Sequence, residues 1–599
     1  MELPRTRALA VLALLLAPAG AAAGPPTGFP TFDVIDYDAA VTPDLAAQTV
    51  SGEVAIRIVS LIDGLSAVEL AAPGLKIESA SEAGRSLPCD LKDGKLRVSL
   101  QPPAARDETR VLTVRYSGKP TKGMRFGTDQ VFTAFETGHW LVSHDDPADK
   151  ASLTLRLTLP AELDSVAPGR RLERKTLADG RVQHVWRQDR PHSTYLFGFA
   201  AGRFQKASQQ VGGVTLRFAS AGLAPADIER ILGGTGNMLE FFERKAGLPF
   251  PGESYTQVLM PGAPPQEVSS FTLLSEDYGR SVLADPREDY LIAHELAHQW
   301  WGNLITCQSW SEFWLNEGMA TFLTAAYKEH FWGRDEYERE MGIARLRYAR
   351  AVAEGKRRPL VFDGWSVPSD MSGPLTYSRG ALVLHLLRSH LGERAFWEGL
   401  RTYTRANAAN TGGDGTVSTA ALRVAMEKAA GKDLGWFFSQ WVYSEEPEDL
   451  AARHWQEPGA VVVEIEQRQA EPWTVPLTVV VRTPAQEVRR PVRASGKRTQ
   501  VRFETAEAPL SVRIDGDGAL PRFVQHERPL AMLLEQVRSE RDVPGRVDAL
   551  AALEKACGGA AREEACRQAV PVLEESAASD SSRFVRQLAA RALETITVQ

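Results

Sequence analysis

The hydrophobic period of this chain switches along its length, and each switch marks a change of architecture. From about residue 28 to 219, segments such as SGEVAIRIVS, KLRVSL, RVLTVRYSG and SLTLRLTLP alternate apolar and polar positions between Gly, Pro and Asp turns. A period of two buries one face of a strand, so this part predicts a large antiparallel β-domain. From about 220 to 445 the period is helical, as in APADIERILGGTGNMLEFFERKAG and RGALVLHLLRSHLGERAFWEGLRTYT. Strands return over about 448–524 (AVVVEIEQRQ, TVPLTVVVRT, TQVRFET, LSVRID), a length that suits a small β-sandwich. The remainder is rich in Ala, Glu and Arg at helical spacing, like a short stack of helical pairs. No single sheet or bundle accommodates this order. The chain reads as a multidomain α+β protein, in keeping with roughly one domain per 150 residues over 599 residues.

The first 23 residues stand apart. Arg5 and Arg7 precede an apolar run from Ala8 to Leu16 and the small stretch Ala21-Ala22-Ala23, the order of an export leader cleaved before Gly24. Pro18 and Gly20 interrupt the run, which falls short of the about 20 apolar residues of a membrane anchor. No other stretch is apolar for long enough to span a bilayer. The expectation is an exported protein, periplasmic or secreted, with no membrane attachment after cleavage. The expected divisions are a leader 1–23, an N-terminal β-domain 24–219, a helical domain 220–447, a β-sandwich 448–525 and a short helical tail 526–599.

Composition removes several function classes. A formal net charge of −7 with no basic stripe argues against a nucleic-acid partner. Four cysteines are too few for a disulfide scaffold or a cysteine-rich metal array. Cys89 and Cys307 have no evident partner. Cys557 and Cys566 flank Gly558-Gly559 and either form a disulfide outside the cytoplasm or remain two buried thiols. Oligomeric state leaves no mark in the sequence.

Chemistry concentrates in DPREDYLIAHELAHQWWGN, residues 285–303. Asp285 reads as an N-cap, Pro286 as the first helical residue and Glu288 as the partner in a capping box, with the helix ending near Gly302-Asn303. His294 and His298, four apart, project from one helical face, where two imidazoles can grip one Zn²⁺ at about 2.0–2.1 Å. Glu295 lies next to the first of them without being a ligand, in the His-Glu-x-x-His pattern of zinc peptidases. The next segment, SEFWLNEGMATFLTAAY, places Glu317 on a second helix that can turn its carboxylate onto the same metal. Two His and one Glu leave a fourth position open, which is the arrangement of a catalytic zinc. Other candidates read as structural: His385 and His390 at a poor spacing, His139 and His144 in a strand context, and the Asp515–Gly518 run as a hairpin turn. Trp300, Trp301, Trp310 and Trp314 read mostly as core.

HELAHQWWGN followed by WSEFWLNEGMATF closely resembles the M1 family of zinc aminopeptidases, the gluzincins. YSGKPTKGMRFG and SHDDPADKASLTLRLTLP look like the family's N-terminal β-domain. LTYSRGALVLHLLRSHLGE looks like its helical segment with the catalytic tyrosine, and DLGWFFSQWVYSEEP like the end of its catalytic domain. The resemblance covers about 24 to 450. It implies a thermolysin-like catalytic domain with one Zn²⁺ per chain held by His294, His298 and Glu317. Glu295 is then the general base, and Tyr377 donates a hydrogen bond to the oxyanion. The family's Gly-Ala-Met-Glu-Asn stretch corresponds to MPGAPPQEVSS, where Glu267 alone of the Met-Glu-Asn core remains, as the anchor for the substrate α-amine. Further departures are VSHDDP in the β-domain, Thr133 where the family carries Gln or Glu (with Glu136 as a candidate replacement), and SEEP at 444–447. The chain thus resembles a divergent branch. The function implied is removal of N-terminal residues from peptides with a free N-terminus. The alternatives are hydrolysis of a non-peptide substrate such as an epoxide, or a scaffold kept for binding only.

Overall fold

The computed structural model describes residues 30–365, 371–409, 412–557 and 562–597. The leader 1–23 lies outside them, as does the side chain of Cys566 and with it the question of a bond to Cys557.

The alternating N-terminal segments form an eight-stranded sheet. Its order is Arg170–Thr176, Val182–Ser193, Lys150–Leu159, Phe32–Asp44, Thr49–Ser60, Thr109–Gly118, Leu75–Glu82 and Arg85–Ser86. One pair, Phe32–Asp44 with Lys150–Leu159, is parallel, and the others are antiparallel. The alternation does what it predicts. Val54 lies opposite Val114 and Ile56 opposite Leu112, all buried, while Arg57, Val111 and Arg115 face solvent. A smaller sheet of Leu65–Ala71, Lys95–Ala104 and Cys89–Lys92 adds Leu96, Val98 and Leu100 to the same core.

One expectation needs correction. The strands Gln205–Val211 and Val214–Ser220 pair with each other, and the second pairs in parallel with Ser254–Met260, which pairs in parallel with Phe271–Ser275. A single sheet therefore crosses the expected division at 219. Parallel pairing needs a crossover, and Pro225–Leu232 and Thr235–Ala246 supply it as two helices broken at Gly233-Gly234. The strand alternation near 215 was readable, but its partner lies beyond those helices.

Five helices frame the catalytic half of the chain: α1 (Tyr290–Ala297), α2 (Trp314–Trp332), α3 (Arg334–Ala353), α4 (Tyr377–Leu391) and, near the C-terminus, α5 (Arg583–Thr597). Every residue of α2 from Trp314 to Lys328 is buried, which marks it as the central helix. It meets α4 backbone to backbone. A Cβ on Gly318 would lie 2.8 Å from Gly380 Cα, and a Cβ on Gly380 would lie 2.8 Å from Gly318 Cα. Two facing glycines therefore set the spacing of these helices.

Beyond α4, two sheets face a shared core that includes Val461, Val463, Val479, Val481 and Phe503. The Asp515–Gly518 turn is not the hairpin expected, because the strands on either side, Ser511–Arg513 and Gln525–His526, belong to different sheets. Asp515 pairs instead with Arg345 of α3 and accepts the N–H groups of Ala519 and Leu520. The tail helices pack around Leu550, Leu553, Leu573 and Val585. They dock on α3, where the Phe584 ring occupies the space a Cβ on Gly342 would take. Among the described residues no helix is long and apolar enough to cross a membrane.

Candidate metal centre

The segment carrying His294 starts later and stops sooner than its sequence suggests. Asp285 caps a short 3₁₀ turn, Pro286–Glu288, by accepting the Arg287 N–H at 3.0 Å, and α1 begins only at Tyr290. Glu288 does not close a capping box; its carboxylate faces Arg339 at 3.1 Å and Arg583 at 2.8 Å. After Ala297 the N–H groups of Asn303, Leu304 and Ile305 reach back five residues to His298, Gln299 and Trp300, so the last turn is widened. Gly302, at φ +135°, closes it. A Cβ there would lie 2.9 Å from His298 Nδ1, a clash that only glycine avoids. The turn delivers the Trp301 carbonyl to His298 Nδ1 at 3.0 Å, which orients the ring and leaves Nε2 facing inward.

The Nε2 atoms of His294 and His298 are 3.1 Å apart, and each is 3.3 Å from Glu317 Oε2 at the start of α2. All three side chains are buried, and their donor atoms lie within 4.8 Å of one another. Tyr290, one turn before His294, lies nearly parallel to its ring at 5.7 Å and 19°. Tyr377, the first residue of α4, does the same at 6.1 Å and 16°.

Two further carboxylates border this cluster. Glu295 is 4% exposed, and its Oε2 has no hydrogen-bond partner. Glu267 is 3% exposed; its Oε2 accepts from the Gln266 amide at 2.9 Å, while Oε1 is unpartnered. The Asn303 amide holds the Glu267 carbonyl at 3.0 Å, which ties that loop to the widened turn. Burial pushes the Glu267 carboxyl up to about 7 and the Glu295 carboxyl well above its ordinary range; His298 opposes both shifts and the neighbouring carboxylates reinforce them. Burial alone would lower His298, yet Glu317, Glu267 and Glu295 together raise it. Among the described residues no lysine or arginine sits beside Glu267 or Glu295 to balance this charge. A buried cluster of three carboxylates and two imidazoles is short of positive charge. Its donors, two imidazole nitrogens and one carboxylate oxygen, suit a divalent transition-metal ion, which would displace the proton from His298. Tyr377 is raised by burial first and by the charges of Glu317, Glu267 and Glu295 next, so its phenol stays protonated as a donor.

The remaining candidates have local roles. His385 accepts from or donates to Tyr337 Oη at 2.6 Å and the Gly518 carbonyl at 3.3 Å. Thr133 Oγ1 accepts the Phe199 N–H at 2.8 Å inside the β-rich part, and the Glu136 carboxylate faces Lys122 at 3.3 Å. Trp300, Trp301 and Trp314 are core. Sequence reasoning passed over Tyr290, although its position four residues before His294 was a usable signal. It also passed over Gly318, Gly380 and Phe135, whose N–H donates to Gln266 Oε1 at 2.8 Å beside Glu267. These contacts join residues far apart in the chain, and no local pattern marks them.

A His-Glu-x-x-His helix with a carboxylate from the next long helix, behind a β-rich N-terminal part, is a metallopeptidase architecture. The chain belongs to peptidase family M1. The family's M1 domain matches residues 231–441 and its M1 N-terminal domain residues 34–196, together more than half of the chain. The chain is 30% identical over 285 residues to aminopeptidase Ey of Gallus gallus, covering 43% of this chain and 29% of that protein. It is 29% identical over 282 residues to aminopeptidase N of Homo sapiens, with the same coverage. It is 25% identical over 410 residues to probable aminopeptidase 2 of Sulfurisphaera tokodaii, covering 63% of this chain and 49% of that protein. The chain thus matches half or less of the length of these relatives.

Proposed function

We propose that the protein is a zinc-dependent aminopeptidase that removes N-terminal residues from peptides, with one Zn²⁺ held by His294, His298 and Glu317. The observation that carries this reading is the buried convergence of those three donors beside two carboxylates with unpartnered oxygens, Glu295 and Glu267. Zinc, when bound, supplies a Lewis acid that makes water nucleophilic near neutral pH and polarises the scissile carbonyl. The raised proton affinity of Glu295 suits a general base that takes the proton of the attacking water and passes it to the leaving amine. Tyr377 donates its phenol proton in a hydrogen bond to the developing oxyanion. Glu267 pairs with the substrate ammonium, which fixes which bond reaches the reacting centre. The names of the curated relatives, aminopeptidases in each case, support the same substrate class. The arginine-led apolar leader of residues 1–23 supports export as the setting.

The test is hydrolysis of aminoacyl-arylamides by the purified protein, before and after chelation and after zinc is restored. Activity lost with the metal and regained with it is expected. Fully folded protein that binds no zinc, or hydrolysis indifferent to chelation, would overturn the proposal.

A further inference from the structure

A cavity of about 350 Å³ opens beside the metal centre, at the lower end of the size range of ligand pockets. Tyr290 and Tyr377, the two rings parallel to His294, form part of its wall together with Thr321 of α2 and Ser372. Its charged wall residues are Glu340 and Arg347, both on α3. They differ in one respect. The Glu340 carboxylate is already held by Lys328 at 2.6 Å and Arg339 at 2.7 Å. Arg347 is exposed and has no hydrogen bond or ion pair among the described residues, whereas Arg345 pairs with Asp515 and Arg350 with Glu354. The cavity therefore offers one uncommitted guanidinium, a group whose planar fork matches a carboxylate.

The position of the cavity says which part of a peptide meets it. Glu267 lies on the His298 side of the ligand cluster. His298 is the nearest opposite charge acting on it, and Asn303, whose N–H bonds the His298 carbonyl, holds its backbone. The cavity lies on the other side, against the two tyrosines that flank His294. A peptide with its amine at Glu267 and its first carbonyl between the imidazoles directs its remaining residues toward α3.

We propose that Arg347 selects peptides carrying a carboxylate on the leaving side of the scissile bond. This inference rests on the aminopeptidase reading and adds a substrate class to it. The carboxylate has two sources, the C-terminus of a very short peptide or an acidic side chain in the second position. Both are recognised by the same guanidinium.

Three substrate pairs separate the possibilities: dipeptides with free or amidated C-termini, tripeptides with free or amidated C-termini, and amidated peptides with Asp or Asn second. The wild-type protein should prefer the carboxylate member of at least one pair in kcat/KM by about five- to tenfold, the scale of a partly exposed charge-assisted hydrogen bond. The preferred pair identifies the source. Arg347→Ala should bring that ratio close to one, and Arg347→Lys should retain part of it. Reading the ratio cancels any general loss of activity. Aminoacyl-arylamides, which carry no leaving-side carboxylate, serve as the reference for the wild-type protein. Arylamide hydrolysis with no carboxylate preference in any pair, or a preference that survives in Arg347→Ala, overturns this inference and leaves the aminopeptidase reading intact. Absence of arylamide and peptide hydrolysis overturns both.

Discussion

The contact between Gly318 and Gly380 makes a prediction in which stability and activity part company. Gly318 comes directly after the proposed ligand Glu317, and Gly380 lies three residues after Tyr377, so this contact sets the distance between two groups that must act on one substrate. In Gly318→Ala the new Cβ would lie 2.8 Å from Gly380 Cα, 3.0 Å from its carbonyl carbon and 3.4 Å from Ala381 N. Carbon atoms pack best at about 3.5–4.0 Å, so the helices must separate by roughly 1 Å. Overpacking of this kind costs about 1–3 kcal/mol. Alanine in a helix interior returns about 1 kcal/mol relative to glycine. The net loss of stability should therefore be small, about 0–2 kcal/mol. Catalysis has no such compensation, because a 1 Å misplacement can cost about 100-fold. Thermal unfolding, zinc content and kcat/KM on an aminoacyl-arylamide should be measured on the same preparations. The expected result is a modest fall in Tm with an activity loss of about 30- to 100-fold. Gly380→Ala should act in the same direction. Activity within threefold of wild type in Gly318→Ala would refute the claim that this contact sets the site geometry.

Glu295→Gln should keep zinc, measured by elemental analysis, and lose most turnover, because an amide neither accepts nor returns a proton. Tyr377→Phe should lower kcat by about 100- to 1000-fold with Tm nearly unchanged; an effect confined to KM would contradict the oxyanion role. Glu267→Ala should raise KM with zinc retained. Mass spectra of digests should show wild type sparing N-acetylated peptides and the variant losing that discrimination. Arg583→Met leaves Glu336 without one of its two cationic partners and should cost about 3 kcal/mol. That corresponds to a Tm loss of roughly 6–12 °C for a cooperative unit of ordinary size. Burial raises the Glu336 carboxyl, but Arg583 and Lys328 outweigh it and hold it below its ordinary range. A carboxyl lowered in the folded state stabilises above its unfolded pKa and loses that contribution as pH falls through its folded value. The gap between wild type and Arg583→Met should be full at pH 7 and close below about pH 4. A gap independent of pH would assign the loss to packing.

The sequence disclosed whatever obeys a short repeat. Val54, Ile56 and Ile58 alternate because a strand shows alternate faces, and their burial is the consequence. The grouping of His294, His298 and Glu317 was readable because one helical turn separates the imidazoles and the next long helix begins with the carboxylate. Helix limits were harder to read. A 3₁₀ turn precedes α1 and a widened turn succeeds it, because Asp285 caps Arg287 and because Gly302 must make room beside His298. Contacts between distant segments had no local signal. The parallel partner of Val214–Ser220 lies past two crossover helices, Gly318 and Gly380 look like ordinary helix glycines, and Arg583 meets Asp285 across 298 positions.

That last contact gives the far end of the chain a role at its centre. Arg583 stands among Asp285, Glu288 and Glu336, which belong to the cap and first turn leading into α1 and to α3. Lys328, fully buried on α2, reaches Glu336 and Glu340 from inside and the Arg287 carbonyl above them. The two cations act as rivets through the same stack of helices, one from each side. A protease cut before Arg583 would draw one rivet and leave three acids facing each other where the His294 helix is launched. Zinc affinity should then report damage done some 300 residues away, and the state of the C-terminus becomes something to verify before any loss of metal is blamed on the ligands.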